Sequence, residues 1–161
     1  MSHGAGTKRQ GLRWPHATLI GVVVIGLAAD AYVHLALAND YDLVKSPTLT
    51  QGDLFRAESS LAILAGLLLL IWPRVWSTVI AFLVSAGGFV LVLVYQFVDV
   101  GKIGFLPDMY DPTMSGQKAL SIVGEGIAAI AAVLLFVALS RLRDERERGR
   151  RRAYAQTASG S

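Results

Sequence analysis

The chain has 161 residues, 53% hydrophobic and 17% charged, with a mean hydropathy of +0.50. That length suits one domain, but a soluble core of this size has no room for the long apolar runs described below. The formal net charge is +3, and cysteine is absent, which excludes disulfides, thiolate metal ligands and thiol redox chemistry.

Residues 1–16 form a basic, glycine-containing segment with Lys8, Arg9 and Arg13, expected to be a flexible cytoplasmic tail. Trp14 and His16 mark an interface, and Pro15 suits a first helical turn. The first apolar run, 17–38, is longer than the hydrophobic core of a cleavable leader and contains Asp30 and His34, which argues for a span. Asp30 and His34 are four residues apart and share a helix face, where a carboxylate fixes the tautomer of the imidazole.

A polar loop over 39–53 follows, with Asp53 expected as the N-cap of the second span, 54–72. That span carries Arg56 and Glu58 near its start. Trp72-Pro73-Arg74 is a short link with an aromatic anchor and a positive charge. The third span, 75–98, is apolar until Tyr95 and Gln96, with Asp99 just beyond it. Glycines and prolines over 99–117 interrupt the helical pattern. The fourth span, 118–140, holds Glu125 and continues into an arginine-rich stretch. Residues 141–161 are expected to be a charged cytoplasmic helix extension that gives way, from Ala153, to a flexible tail.

Each run approaches the ~20 residues needed to cross ~30 Å of hydrocarbon. The fold expected is therefore all-α, a four-transmembrane-helix bundle. Its orientation follows from charge. Lys8, Arg9, Arg13, Arg74 and the seven arginines from Arg141 to Arg152 share one side, against Lys45, Lys102 and Lys118 on the other. The positive-inside rule puts both termini in the cytoplasm of a cell membrane. Small residues recur every four positions at Gly124, Ala128 and Ala132, at Ala62 and Gly66, and at Ala81 and Ser85, a spacing that lets helix backbones approach closely. A faint internal similarity also aligns Glu58 with Glu125, which suits either a duplicated helical hairpin or chance among alanines and leucines.

Alternating spans bring Asp30, His34, Arg56, Glu58, Tyr95, Gln96, Asp99 and Glu125 toward one outward-facing region. Counting ~1.5 Å per residue puts His34 and Glu58 about 6 Å deep, Glu125 about 10 Å and Asp30 about 12 Å. An ionised residue at mid-span costs about 2.5–3.5 kcal/mol on insertion scales, so such a cluster is a functional-site candidate. A ligand or proton pocket is the sharper expectation. A buried polar network that only fixes helix register is the blander one.

No cofactor is expected. His34 with Asp30, Glu58 and Glu125 offers ligands for a single hard or borderline cation. The Glu-x-x-His pairs of di-iron bundles are absent, and no second intramembrane histidine is available for haem. No phosphate-binding glycine loop or nucleophile elbow is present, and no catalytic set emerges. Asp144, Glu145 and Glu147 interleave with the arginines of the tail, which disfavours nucleic acid and favours lipid headgroups or a solvated helix. The partners expected are the bilayer and a second copy or a membrane-complex subunit.

With its helices placed, the chain resembles uncharacterised small four-span membrane proteins of high-GC bacteria. The resemblance rests on His34-Leu35-Ala36-Leu37, the following Tyr41-Asp42, and the glutamates of spans two and four, over about residues 17–140. It is more distantly similar to DoxX-like four-helix proteins in size and span number. Small multidrug-resistance proteins also have four spans and a key glutamate, but theirs lies in the first span, where this chain carries Asp30 and His34. These resemblances imply a fold and no reaction. The function expected is binding or movement of a small solute, ion or proton. The alternative is a non-catalytic accessory or scaffold subunit.

Overall fold

In the computed structural model, residues 14–159 are described. The expectations for residues 1–13, including Lys8, Arg9 and Arg13, and for Gly160 and Ser161 lie outside that range. The described residues form four α-helices and no strand: α1 (Trp14–Leu37), α2 (Gln51–Ile71), α3 (Val75–Phe97) and α4 (Gly116–Ser159). All four are long and apolar enough to cross a membrane. They run in alternating directions, and each packs on two neighbours, α1 on α2 and α4, α3 on α2 and α4. One end of the bundle carries the start of α1, the Trp72–Arg74 link and the charged part of α4. This is called the terminal end, and the other, with the two long loops, the loop end.

The outer surface is apolar. Ile25, Leu64, Leu70, Leu83, Ile130 and Leu134 all face outward. A helix that is hydrophobic all round needs a second apolar environment beyond its own bundle. The core is built from the other faces. Val23, Leu69, Ala62, Ala81, Ala132 and Leu135 are completely buried. The small residues act as the spacing predicts. A Cβ at Gly26 would lie 2.7 Å from the Gly124 carbonyl oxygen and 2.8 Å from Ala128 Cβ. The α1 and α4 backbones therefore meet at a contact that only glycine permits.

Three boundaries differ from expectation. Helix α1 begins at Trp14, so His16 is a buried helical residue and not part of a tail. Thr50, not Asp53, is the N-cap of α2. Its hydroxyl accepts the Asp53 N–H at 2.9 Å, and the Asp53 carboxylate accepts the Thr50 N–H at 3.0 Å. This is a reciprocal capping box in which Asp53 takes the third helical position. Finally, α4 stays helical through Ser159, past the expected flexible stretch from Ala153. Arginine and alanine are strong helix formers, and an Arg143–Glu147 pair at 3.0 Å adds i,i+4 support. Beyond residue 140 the helix runs on for about 30 Å at ~1.5 Å per residue.

The loops close the loop end. The first makes a 3-10 turn over Asp40–Leu43 and returns to α2 through a single antiparallel bridge, Lys45 to Thr50. Gly52 lets it pass close, because a Cβ there would collide with the Asp42 carboxylate and the Ala38 carbonyl. The second turns at Gly101 and Gly104, both with positive φ (60° and 58°). It is tied down by Gln96 Nε2 donating to the Pro112 carbonyl (2.6 Å), the Asp111 N–H donating to the Tyr95 carbonyl (3.1 Å) and Ser46 Oγ donating to the Phe105 carbonyl (2.7 Å).

A candidate acidic pocket between the helices

Three carboxylates from three helices meet inside the loop-end half of the bundle. Asp30 comes from α1, Glu58 from α2 and Glu125 from α4. One oxygen from each lies within 4.8 Å of the other two. Asp30 and Glu125 are each only 1% exposed.

Asp30 is well held. Its Oδ1 accepts the Ser121 hydroxyl at 2.8 Å and lies 2.9 Å from His34 Nδ1. His34 Nδ1 is also 3.1 Å from the Asp30 carbonyl oxygen. The i,i+4 spacing thus gives the pairing expected of it, with the Nδ1 proton shared between two oxygens of one residue. The other edge of the ring is braced by Phe55, at 5.0 Å between centroids in an edge-on arrangement, and Phe55 in turn packs on Tyr41 at 5.1 Å.

Glu125 differs. Both of its carboxylate oxygens are buried without a hydrogen-bond partner. Buried polar groups are almost always satisfied in native proteins, so an orphaned carboxylate points to a ligand, a proton or water. Space for it depends on Gly88 of α3. A Cβ there would collide with Glu125 Oε1 and lie 3.0 Å from Glu58 Oε1. Glycine therefore lets two acids lie against the α3 backbone.

Of the three acids, Glu58 lines a cavity of about 370 Å³ that is walled by all four helices and the second loop, and Asp30 and Glu125 lie behind it, within 4.8 Å of Glu58. Its wall is mostly apolar, with Val33, Leu37, Phe55, Leu91 and Val92 among the lining residues, and His34, Glu58 and Ser121 beside the acid cluster. Toward the loops it carries Tyr41, Tyr95, Gln96, Asp111 and Lys118. Leu61 of α2 and Leu91 of α3 line it yet are 52% and 53% exposed. That wall therefore reaches the outer surface between α2 and α3, the most loosely packed of the four neighbouring pairs.

Six of the eight candidate residues border this region or its acid cluster: Asp30, His34, Glu58, Tyr95, Gln96 and Glu125. Arg56 and Asp99 do not. The Arg56 guanidinium turns to the surface, where it donates to Asp42 (2.8 and 2.9 Å), to Asn39 (2.8 Å) and to Asp53 (3.4 Å). Asp99 is exposed and caps its own turn by accepting the Gly101 N–H at 3.1 Å. Lys118, the other cation near the pocket, is held by Asp111 (3.0 Å to Oδ2) and by the carbonyls of Asp111 and Thr113. Among the described residues, neither Arg56 nor Lys118 pairs with any of the three clustered acids.

Sequence reasoning missed Ser121 and Gly88. Ser121 lies one helical turn before Glu125, so it shares that residue's face, and this was the available signal. Gly88 carried none, because a glycine beside another glycine in an apolar span says nothing about what packs over it. For a metal ion, Asp30, Glu58 and Glu125 supply three oxygen ligands at suitable mutual distance, whereas His34, also expected as a ligand, is not part of that close group. Such a set suits a hard or borderline cation.

Comparison with family models, with curated proteins and with solved structures found no match to this chain.

Proposed function

We propose that this chain is a multi-pass protein of the cell membrane, with both termini in the cytoplasm, whose outward-facing acidic pocket binds a small cation or protonatable solute. The orientation rests on the eleven basic residues of the terminal side against four on the loop side, Lys45, Arg56, Lys102 and Lys118. The pocket reading rests above all on Glu125, whose two oxygens lack partners although the residue is buried. A network evolved only to fix helix register would be expected to satisfy its members, as it does Asp30.

The same geometry favours binding over a through-going path. Toward the terminal end, Val23, Leu27, Leu69 and Leu135 fill the interior, with almost no exposure and no polar side chain among them. A solute entering from the loop side meets a dry floor below Asp30, so movement across the bilayer requires that floor to open.

The test compares the wild type with Glu125→Gln and Glu58→Gln. Each is purified in detergent and titrated with sodium, potassium, manganese and small ammonium salts, reading the thermal midpoint. The pocket predicts that at least one cation raises the wild-type midpoint, and that Glu125→Gln abolishes the shift while folding normally. A scaffold subunit predicts no cation shift, and loss of assembly in both variants.

A further inference from the structure

We infer that the pocket takes an amphipathic organic ammonium, with its charged head on Glu58 at the cavity wall, Glu125 directly behind it, and its apolar body along the α2–α3 wall. This deepens the cation-pocket reading and rests on it. A bare metal ion would use the acids alone. It would leave unexplained a cavity of about 370 Å³ whose walls are chiefly aliphatic and aromatic.

The chemistry is arranged along one direction. At the inner end lie the three carboxylates, within 4.8 Å of one another. Asp30 is engaged by Ser121 and His34, whereas the Glu125 oxygens accept from no amide, hydroxyl or cationic donor among the described residues. Gly88 gives them room against α3, and it also lines the cavity. An ammonium offers up to three N–H donors to such oxygens. The two cations of this chain that could have filled the place are committed elsewhere, Arg56 to Asp42 and Lys118 to Asp111.

Beyond the acids the wall becomes apolar: Phe55 and Leu61 on α2, Leu91 and Val92 on α3. Leu61 and Leu91 are half exposed on the outer face of the bundle. In a bilayer that face meets acyl chains, so an apolar body can lie across it without being exposed to water. The edge-on ring pair Phe55–His34 gives the head an aromatic side wall. An alcohol of the same shape would fit the walls equally well, but it would bring no charge to the acids. The expected discrimination is that of a charge-assisted hydrogen bond in a buried site, about 10- to 100-fold in affinity.

The experiment is calorimetric titration of the full-length protein in detergent at neutral pH with benzylamine, benzyl alcohol and manganese chloride. Benzylamine is expected to bind at least about tenfold more tightly than benzyl alcohol. Glu125→Gln should erase that difference. Leu91→Trp alters only the half-exposed apolar wall, so it should weaken benzylamine and leave the fold intact even if the carboxylate variants fail to assemble. Equal affinity for amine and alcohol would overturn the inference, since an apolar cavity alone would explain it. Manganese binding without benzylamine binding would overturn it too, while leaving a cation pocket standing. Binding of neither cation would remove both.

Discussion

At the terminal end of the bundle, Val23, Leu27, Leu69 and Leu135 fill the interior. At the loop end, the corresponding interior positions hold Asp30, Glu58, Glu125 and His34. The first region gains from close apolar packing, although His16 near the start of α1 is buried there with neither ring nitrogen hydrogen-bonded among the described residues. The second leaves a cavity and an unsatisfied carboxylate. Both occur on the same four helices, so the difference comes from side chains. The contrast suggests that stability resides at one end and recognition at the other.

That division is breakable. The largest effect is expected from Leu69→Ala, which removes a completely buried side chain from the dry end. A loss of about 2–5 kcal/mol in unfolding free energy is expected, as for large-to-small changes in a packed core. Ligand affinity, measured under conditions where the variant remains folded, should not change. Next comes Gly26→Ala. Its new Cβ would press on the Gly124 carbonyl and Ala128, and overpacking of this kind costs about 1–3 kcal/mol. Gly21→Ala is the internal control, because nothing lies within 4 Å of a Cβ there. If the two variants melt alike, the α1–α4 crossing is not a close-packed contact.

The loop end predicts a different pattern. Ser121→Ala removes one donor to Asp30 and is expected to cost about 1 kcal/mol, the scale of an interhelical hydrogen bond in a membrane bundle. Glu125→Gln should leave stability unchanged or raise it, since the carboxylate accepts from no amide, hydroxyl or cationic donor among the described residues and the new amide can donate to a neighbouring acid. Chemical unfolding of both variants side by side tests the sign. If Glu125→Gln proves as damaging as Leu69→Ala, the acid belongs to the structural core and the two ends of the bundle do not divide the labour.

Much of this was legible in the sequence because membrane helices are constrained by length and polarity. Runs of about 20 apolar residues place the spans, and Asp30 with His34 shows a shared face through spacing alone. Gly124, Ala128 and Ala132 mark a close-packing face on α4 by their period, and it is α1 that meets it, at Gly26. The direction of Arg56 was not legible. A long side chain near a helix start reaches either the interior or the preceding loop, and the choice was made by Asp42, fourteen residues earlier, brought alongside by the turn over 40–43 and by Gly52. Alternating spans place Asp99 on the side of the pocket, yet the helix ends at Phe97 and Asp99 is exposed in the turn beyond it. The N-cap was misplaced by one turn because a capping box offers two side chains, and only Thr50 has the extended backbone a cap requires.

The smallest effect concerns the clasp over the pocket. Burial pushes the Asp111 carboxyl up, but hydrogen bonds from Lys118 and from the Thr113 N–H outweigh it and hold the group below its ordinary 3.8. A carboxyl with a lowered folded value stabilises the protein above the unfolded value and stops doing so as pH falls through the folded one. The second loop should therefore loosen below pH 3.8 while the helices persist. Hydrogen exchange over residues 105–115 would show it, and Asp111→Asn should make that loosening insensitive to acid. Lys118 would then lose its carboxylate partner yet keep the carbonyls of residues 111 and 113, so the loop should open only partly. Because Met109 and Leu106 of this loop line the cavity, exchange that rises together with faster ligand release would identify the clasp as a gate. Faster exchange without faster release would leave the α2–α3 face as the route in and out.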